Sequence, residues 1–112
     1  RATPRDVRRR NPLFLPDNID RARQLLDCLR DVARRHGATP AQVALAWLVR
    51  RPNVVAIPGA RSVAQVEANA TAAELPLSDE DDRRLTDASD RFRPAGGKHA
   101  VCRHRLRRLS PR

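Results

Sequence analysis

A chain of 112 residues with one Trp, two Phe and no Tyr can bury one small core, and two cysteines exclude a disulfide framework. The formal charge of +10 would suit a nucleic-acid partner if it were spread over a folded face, but it is concentrated at the ends. Residues 1–10 carry five arginines against one acid, residues 93–112 carry six arginines and a lysine with no acid, and residues 11–92 hold eleven bases against twelve acids.

The chain contains no methionine and starts at Arg1, so the expectation is a fragment of a longer reading frame or a clipped product. No stretch approaches the length of apolar sequence that spans a membrane, and no apolar core follows Arg1–Arg10 as a signal peptide requires. With Cys28 and Cys102 far apart, a reduced, cytoplasmic compartment is expected.

In chain order, residues 1–16 read as a basic, proline-containing loop, with Leu13 and Phe14 as its apolar contacts. From Asp17 the spacing of Ile19, Ala22, Leu25, Leu26, Leu29, Val32 and Ala33 predicts one amphipathic helix, ended by Gly37 as the residue after the cap. Cys28 borders the apolar stripe and reads as a small hydrophobe. His36 in the last turn suits the negative end of the helix dipole. Thr39 as cap, Pro40 at the first position and Gln42 closing a capping box open a second helix, apolar almost all round through Val49. Such a helix requires cover, expected from the preceding helix on one side and from strands on the other. Its Trp47 reads as packing.

Pro52-Asn53 breaks that helix, and Val54-Val55-Ala56-Ile57 follows as four apolar residues, three of them β-branched. This predicts one strand, residues 54–58, buried on both faces as in a parallel sheet, with Pro58 ending its ladder. Ser62 and Gln65 then form a capping-box signal for a helix with a narrow stripe of Val63, Val66, Ala70 and Ala73. After the connector Leu75-Pro76-Leu77, Ser78 opens a last helix with Asp79, Glu80, Asp81 and Asp82 in its first turn. Its few apolar residues, Leu85, Ala88 and Phe92, place it on the surface. Residues 93–112 read as a basic, disordered tail. There His99, Cys102 and His104 fall short of a metal-ligand pattern, so no metal site is expected.

The turn at residues 58–62 concentrates the candidate chemistry. Strand-to-helix turns in α/β folds bear ligands, and the unpaired N–H groups and positive dipole end of a new helix favour an anion such as a phosphate. Gly59 and Ala60 leave the backbone bare, Arg61 brings a fixed charge, and Gln65 and Asn69 fall one turn apart on a single helix face. The bland alternative is an ordinary turn with no ligand.

Ile57-Pro58-Gly59-Ala60-Arg61, followed by Gln65 and Asn69, resembles the cofactor turn after the last barrel strand of aldo-keto reductases. Asp6–Phe14, Gly37–Leu48 and Leu77–Asp81 resemble further landmarks of that family in the same order, so the likeness covers about residues 5–92. It implies an α/β fold, the C-terminal portion of a (β/α)8 TIM barrel, mostly helical here. Since such barrels run to about 250 residues, residues 17–92 would be the barrel segment between the loop of 1–16 and the tail of 93–112.

The resemblance also implies an NAD(P)H-dependent oxidoreductase that reduces a small carbonyl, with Tyr, Lys, Asp and His performing the proton transfer. Those residues would lie in earlier strands and no Tyr is present, so no catalytic residue is assigned and the segment is expected to be inactive alone, awaiting an N-terminal barrel segment. Its part would be cofactor binding by Gly59, Ala60, Arg61, Gln65 and Asn69. Gly59 and Ala60 stand where many relatives have Lys and Ser at the 2′-phosphate, Gln65 where many have Arg, and Asn69 where an Asn reaches the adenine. NADP is the expected cofactor, with NAD left open by the loss of those charges, although Arg61 could restore one. The resemblance brings Arg8–Arg10 toward the active-site mouth, but a solvated charge run is the simpler account. A competing reading is a small basic helical protein that binds nucleic acid or an acidic partner through its Arg-rich ends. Sequence-specific nucleic-acid recognition is not expected.

Overall fold

The computed structural model describes residues 11–95. Two compact units are present, Ala22–Arg93 and a smaller one drawn from both termini.

In the smaller unit, Asn11 caps a 3₁₀ turn, Pro12–Phe14, by accepting the Leu13 N–H at 3.0 Å, and helix α1, Pro16–Arg21, follows. Asn18 is fully buried. Its Nδ2 donates to the Pro12 carbonyl at 2.7 Å and the Ala95 carbonyl at 2.8 Å, while its Oδ1 accepts the Ala95 N–H at 2.6 Å. One amide thus ties together segments 77 positions apart, and a buried amide satisfied in this way avoids the cost of an unpaired polar group.

In the larger unit, α2 spans Arg23–His36 and stops at Gly37, whose φ of 60° is the left-handed conformation that glycine adopts freely. The single helix expected from Asp17 is therefore divided at Ala22, and nothing in the sequence marks that break. Helix α3, Pro40–Val49, begins with the expected capping box. The Gln42 N–H donates to Thr39 Oγ1 at 3.2 Å, and Gln42 Oε1 accepts the Thr39 N–H at 3.0 Å. Helix α4, Val63–Thr71, runs into a 3₁₀ turn, Ala72–Glu74, and α5 spans Asp79–Arg91.

α2 packs on both α3 and α5. Val32 and Ala33 from α2, Val43 and Ala46 from α3, Leu77 from the connector and Leu85 from α5 form the core, flanked by Cys28, Leu29, Ala38, Trp47 and Leu75. α5 lies on the surface, as its sparse apolar content suggested, with Leu85 at 0% exposed and Asp81 as its two buried residues. Leu85 against the α2 stripe contributes to seating it, since burying such a side chain is worth about 1.5–3 kcal/mol, beside the pairs that Asp81 makes with Arg35 and His36.

The strand expected at residues 54–58 does not form: among the described residues there is no strand at all. Val55 is 85% and Ile57 95% exposed, the opposite of a segment buried on both faces. A strand acquires its hydrogen bonds from neighbouring strands, and here Val54 N–H donates only to the nearby Arg51 carbonyl at 3.3 Å, closing the turn at Asn53, whose φ is 66°. The stripe expected on α4 is exposed as well. α4 has no buried residue, and Val63 and Val66 are open to solvent. On α3, Val43 and Ala46 face the core while Leu48 and Val49 are exposed, so only one side of that apolar helix is covered.

Candidate functional site: the bend before helix α4

Ser62 caps α4 with extended backbone, φ −145° and ψ 158°, and its Oγ accepts the Gln65 N–H at 3.3 Å. The reciprocal half of the expected box takes a different partner. Gln65 Oε1 accepts the N–H of Arg61 at 2.6 Å instead of that of Ser62. One turn further along, Asn69 Nδ2 reaches back to the Gly59 carbonyl at 3.5 Å. Two carboxamides four residues apart on one helix face therefore point at one three-residue bend.

Gly59, Ala60, Arg61 and Gln65 are exposed and Asn69 is half-buried. Among the described residues a Cβ placed on Gly59 would meet no atom within 4 Å, so packing there does not demand glycine and leaves the approach to the backbone open. Arg61 is the single charged side chain from residue 52 to residue 66. At the start of α4 Ser62 takes up the N–H groups of Gln65 and Val66, its carbonyl accepting them at 3.1 and 3.2 Å. A guanidinium and the two carboxamides form a set suited to a phosphate and a heterocycle. A shallow concavity on the surface, lined by Asp27, Arg30, Asp31, Arg34 and Pro40 among others, includes none of the five residues.

Two polar clusters elsewhere join helices. Asp81, which is buried, receives Arg35 at 2.5 Å on Oδ1 and His36 Nε2 at 2.8 Å on Oδ2, while Ser78 and Asp81 complete a capping box for α5. Burial alone would raise the Asp81 carboxyl, but hydrogen bonds from His36 and Ser78, with the Arg35 charge, outweigh it and hold the group below its ordinary value. The Ser78-x-x-Asp81 spacing was the available signal for the cap. The pairing with His36, 45 positions away, had none.

In the second cluster the Arg51 guanidinium lies 4.3 Å from the centre of the Trp47 ring and donates to Thr86 Oγ1 at 2.9 Å, and Trp47 Nε1 donates to the same hydroxyl at 3.2 Å. Trp47 is thus a packing residue with its N–H satisfied. Cys28 is half-buried, and burial raises its thiol above the usual value, which makes a poor nucleophile. Among the described residues no cluster of three or more His, Cys, Asp or Glu can hold a metal ion, and no helix is long and apolar enough to cross a membrane. The Arg8–Arg10 run, the His99, Cys102 and His104 group, and the expected disorder of the tail past Ala95 lie outside the described residues.

The model of the aldo/keto reductase family matches residues 2–90. An uncharacterized oxidoreductase of Mycobacterium tuberculosis is 53% identical over 91 residues, covering 81% of this chain and 28% of that protein. A probable aldo-keto reductase of Glycine max is 33% identical over 90 residues, 80% of this chain and 26% of the relative. An aldo-keto reductase of Schizosaccharomyces pombe whose name carries NADP(+) is 28% identical over 95 residues, 84% of this chain and 28% of the relative. The chain therefore spans less than a third of the length of these relatives. No solved structure matches it significantly.

Proposed function

The chain belongs to the aldo/keto reductase family, whose fold is a (β/α)8 barrel, and we propose that it is the C-terminal, cofactor-binding segment of an NAD(P)H-dependent reductase. In this reading residues 17–92 are the barrel segment, flanked by the basic stretches 1–16 and 93–112, in a protein of the cytoplasm. The observation that carries the proposal is the bend: Gln65 and Asn69 both address Gly59–Arg61, which stays open on its outer side.

The bound nicotinamide would supply the hydride that converts a small carbonyl to an alcohol, and this segment would bind and orient the other end of the dinucleotide. Arg61 would face phosphate, the first-turn N–H groups of α4 would add donors, and Asn69 would reach the adenine, while Gly59 and Ala60 would allow close approach. NADP is favoured over NAD by the Arg61 charge and by the relative named with NADP(+). The 112 residues contain no tyrosine, so the proton donor that the resemblance implies must come from sequence outside them, and the segment by itself is inactive. The reading of the Arg-rich ends as a nucleic-acid or acidic-partner surface rests on residues of which only 93–95 are described, and no observation favours it.

Two measurements on the isolated chain test the proposal. Titrating isotope-labelled protein with 2′,5′-ADP is expected to shift amide signals at 59–61, 65 and 69, and shifts confined to α2 or α5 would refute the site. Mixed with NADPH and a panel of aldehydes, the chain is expected to leave the cofactor unoxidised, and steady carbonyl-dependent oxidation would overturn the inactivity.

A further inference from the structure

Among the described residues of the smaller unit Asn18 is the only buried one, and Leu15 and Ile19 on either side of it are exposed. That unit is gathered around a carboxamide, so its cohesion comes from directional bonds rather than from apolar burial. The bonds match a peptide group. Asn18 Nδ2 donates to the Ala95 carbonyl at 2.8 Å and Oδ1 accepts the Ala95 N–H at 2.6 Å, the exchange of bonds that a residue of a neighbouring strand would make. The other Nδ2 hydrogen goes to the Pro12 carbonyl at 2.7 Å, which also accepts the Leu15 N–H at 3.1 Å. All three partners of the side chain are backbone atoms.

From this we infer that Asn18 is the latch of a strap: it holds the chain at residue 95 onto the turn at Pro12, and it opens by itself, without loosening the core of α2, α3 and α5. Val32, Ala33, Val43, Ala46, Leu77 and Leu85 all belong to the larger unit, and the latch shares no residue with them. What the strap governs is set by the sequence at its two ends. Residues 1–10, five arginines and one acid, join the fold at Asn11, and residues 96–112, five arginines and a lysine, join it at Ala95. With the latch closed, the two like-charged stretches are attached beside carbonyls that share one Nδ2 donor. With it open, the attachment of residues 96–112 is free to leave that place. The device is independent of the cofactor reading above.

Residue-resolved amide hydrogen exchange of the 112-residue chain tests the latch. The Ala95 amide is expected to be protected in the wild type, and Asn18→Ala to speed its exchange by roughly tenfold or more, since three hydrogen bonds are lost and each is worth about fivefold. Asn18→Asp separates the donors from everything else. It keeps the shape and the acceptor for the Ala95 N–H and adds a charge that the basic stretches would attract, but it lacks both Nδ2 hydrogens, and it is expected to speed exchange at Ala95 as well. In both variants the amides of Val32 and Leu85 are expected to exchange at the wild-type rate. An Ala95 amide that exchanges at the free-peptide rate in the wild type, or stays protected in Asn18→Ala, overturns the latch. Protection kept in Asn18→Asp would show that shape or charge holds the strap and overturns it equally. Faster exchange at Val32 and Leu85 would make the opening part of global unfolding and overturn its independence.

Discussion

Two stretches of the larger unit behave in opposite ways. In α2, α3 and α5, Val32, Val43 and Leu85 are 0% exposed and the helices join across Asp81 and Thr86. From Val55 to Val66, four β-branched residues, Val55, Ile57, Val63 and Val66, stand in solvent. Helices close their own backbone hydrogen bonds and need cover on one stripe only, which two other helices can provide. A strand closes none of its own. Within the described residues the helical part of this family's architecture holds together, while the segment that needs a sheet keeps its sequence pattern without its structure.

The sharpest way to break this contrast is to truncate a residue on each side. Leu85→Ala is expected to cost about 2–5 kcal/mol, enough to remove most of the cooperative unfolding signal followed by circular dichroism in urea. A smooth, small shift would mean that the α2, α3 and α5 cluster is not the stabilising unit. Next in size is Asp81→Asn, expected to destabilise by about 1–3 kcal/mol because Arg35 and His36 lose their anion.

That substitution also has a pH signature. A carboxyl held below its ordinary value binds protons less readily in the folded state than in the unfolded one. The stability it contributes is fully present above the unfolded value near pH 4 and declines as pH falls through the lower folded value. Thermal midpoints of the wild type should drop over that acid range, and the drop should be shallower in Asp81→Asn. Parallel curves for the two proteins would remove Asp81 from the acid response. The smallest effect is expected at Ile57→Ala, within about 0.5 kcal/mol, since a side chain 95% exposed has no contacts to lose. A loss near that of Leu85→Ala would show that the extended segment is covered in solution.

The same contrast explains what was legible in the sequence. The ends of α3 and the stop at Gly37 were readable because a cap is settled within four residues: Thr39 and Gln42 find each other whatever surrounds them. The five residues proposed for the cofactor were likewise within reach of a local motif. What the motif misplaced was the partner of Gln65, since the capping-box spacing points to the N–H of Ser62 and the side chain instead holds that of Arg61. Non-local features were opaque. The clasp from Asn18 to Ala95 joins positions 77 apart, and the burial of Leu85 depends on where α2 presents Val32. The strand was misread for the same reason, as four apolar residues declare an affinity for a sheet and say nothing of whether one is at hand.

The uncovered stretch has a practical consequence for handling the protein. An exposed run of valine and isoleucine outside any sheet is a template for stacking between copies, and prolines on either side act as gatekeepers against it. Pro52 and Pro58 bracket residues 53–57, and neither has an N–H to extend a growing ladder. These prolines confine any such stacking to a very short register, and replacing Pro58 with a β-former such as threonine is expected to lengthen it and favour fibres.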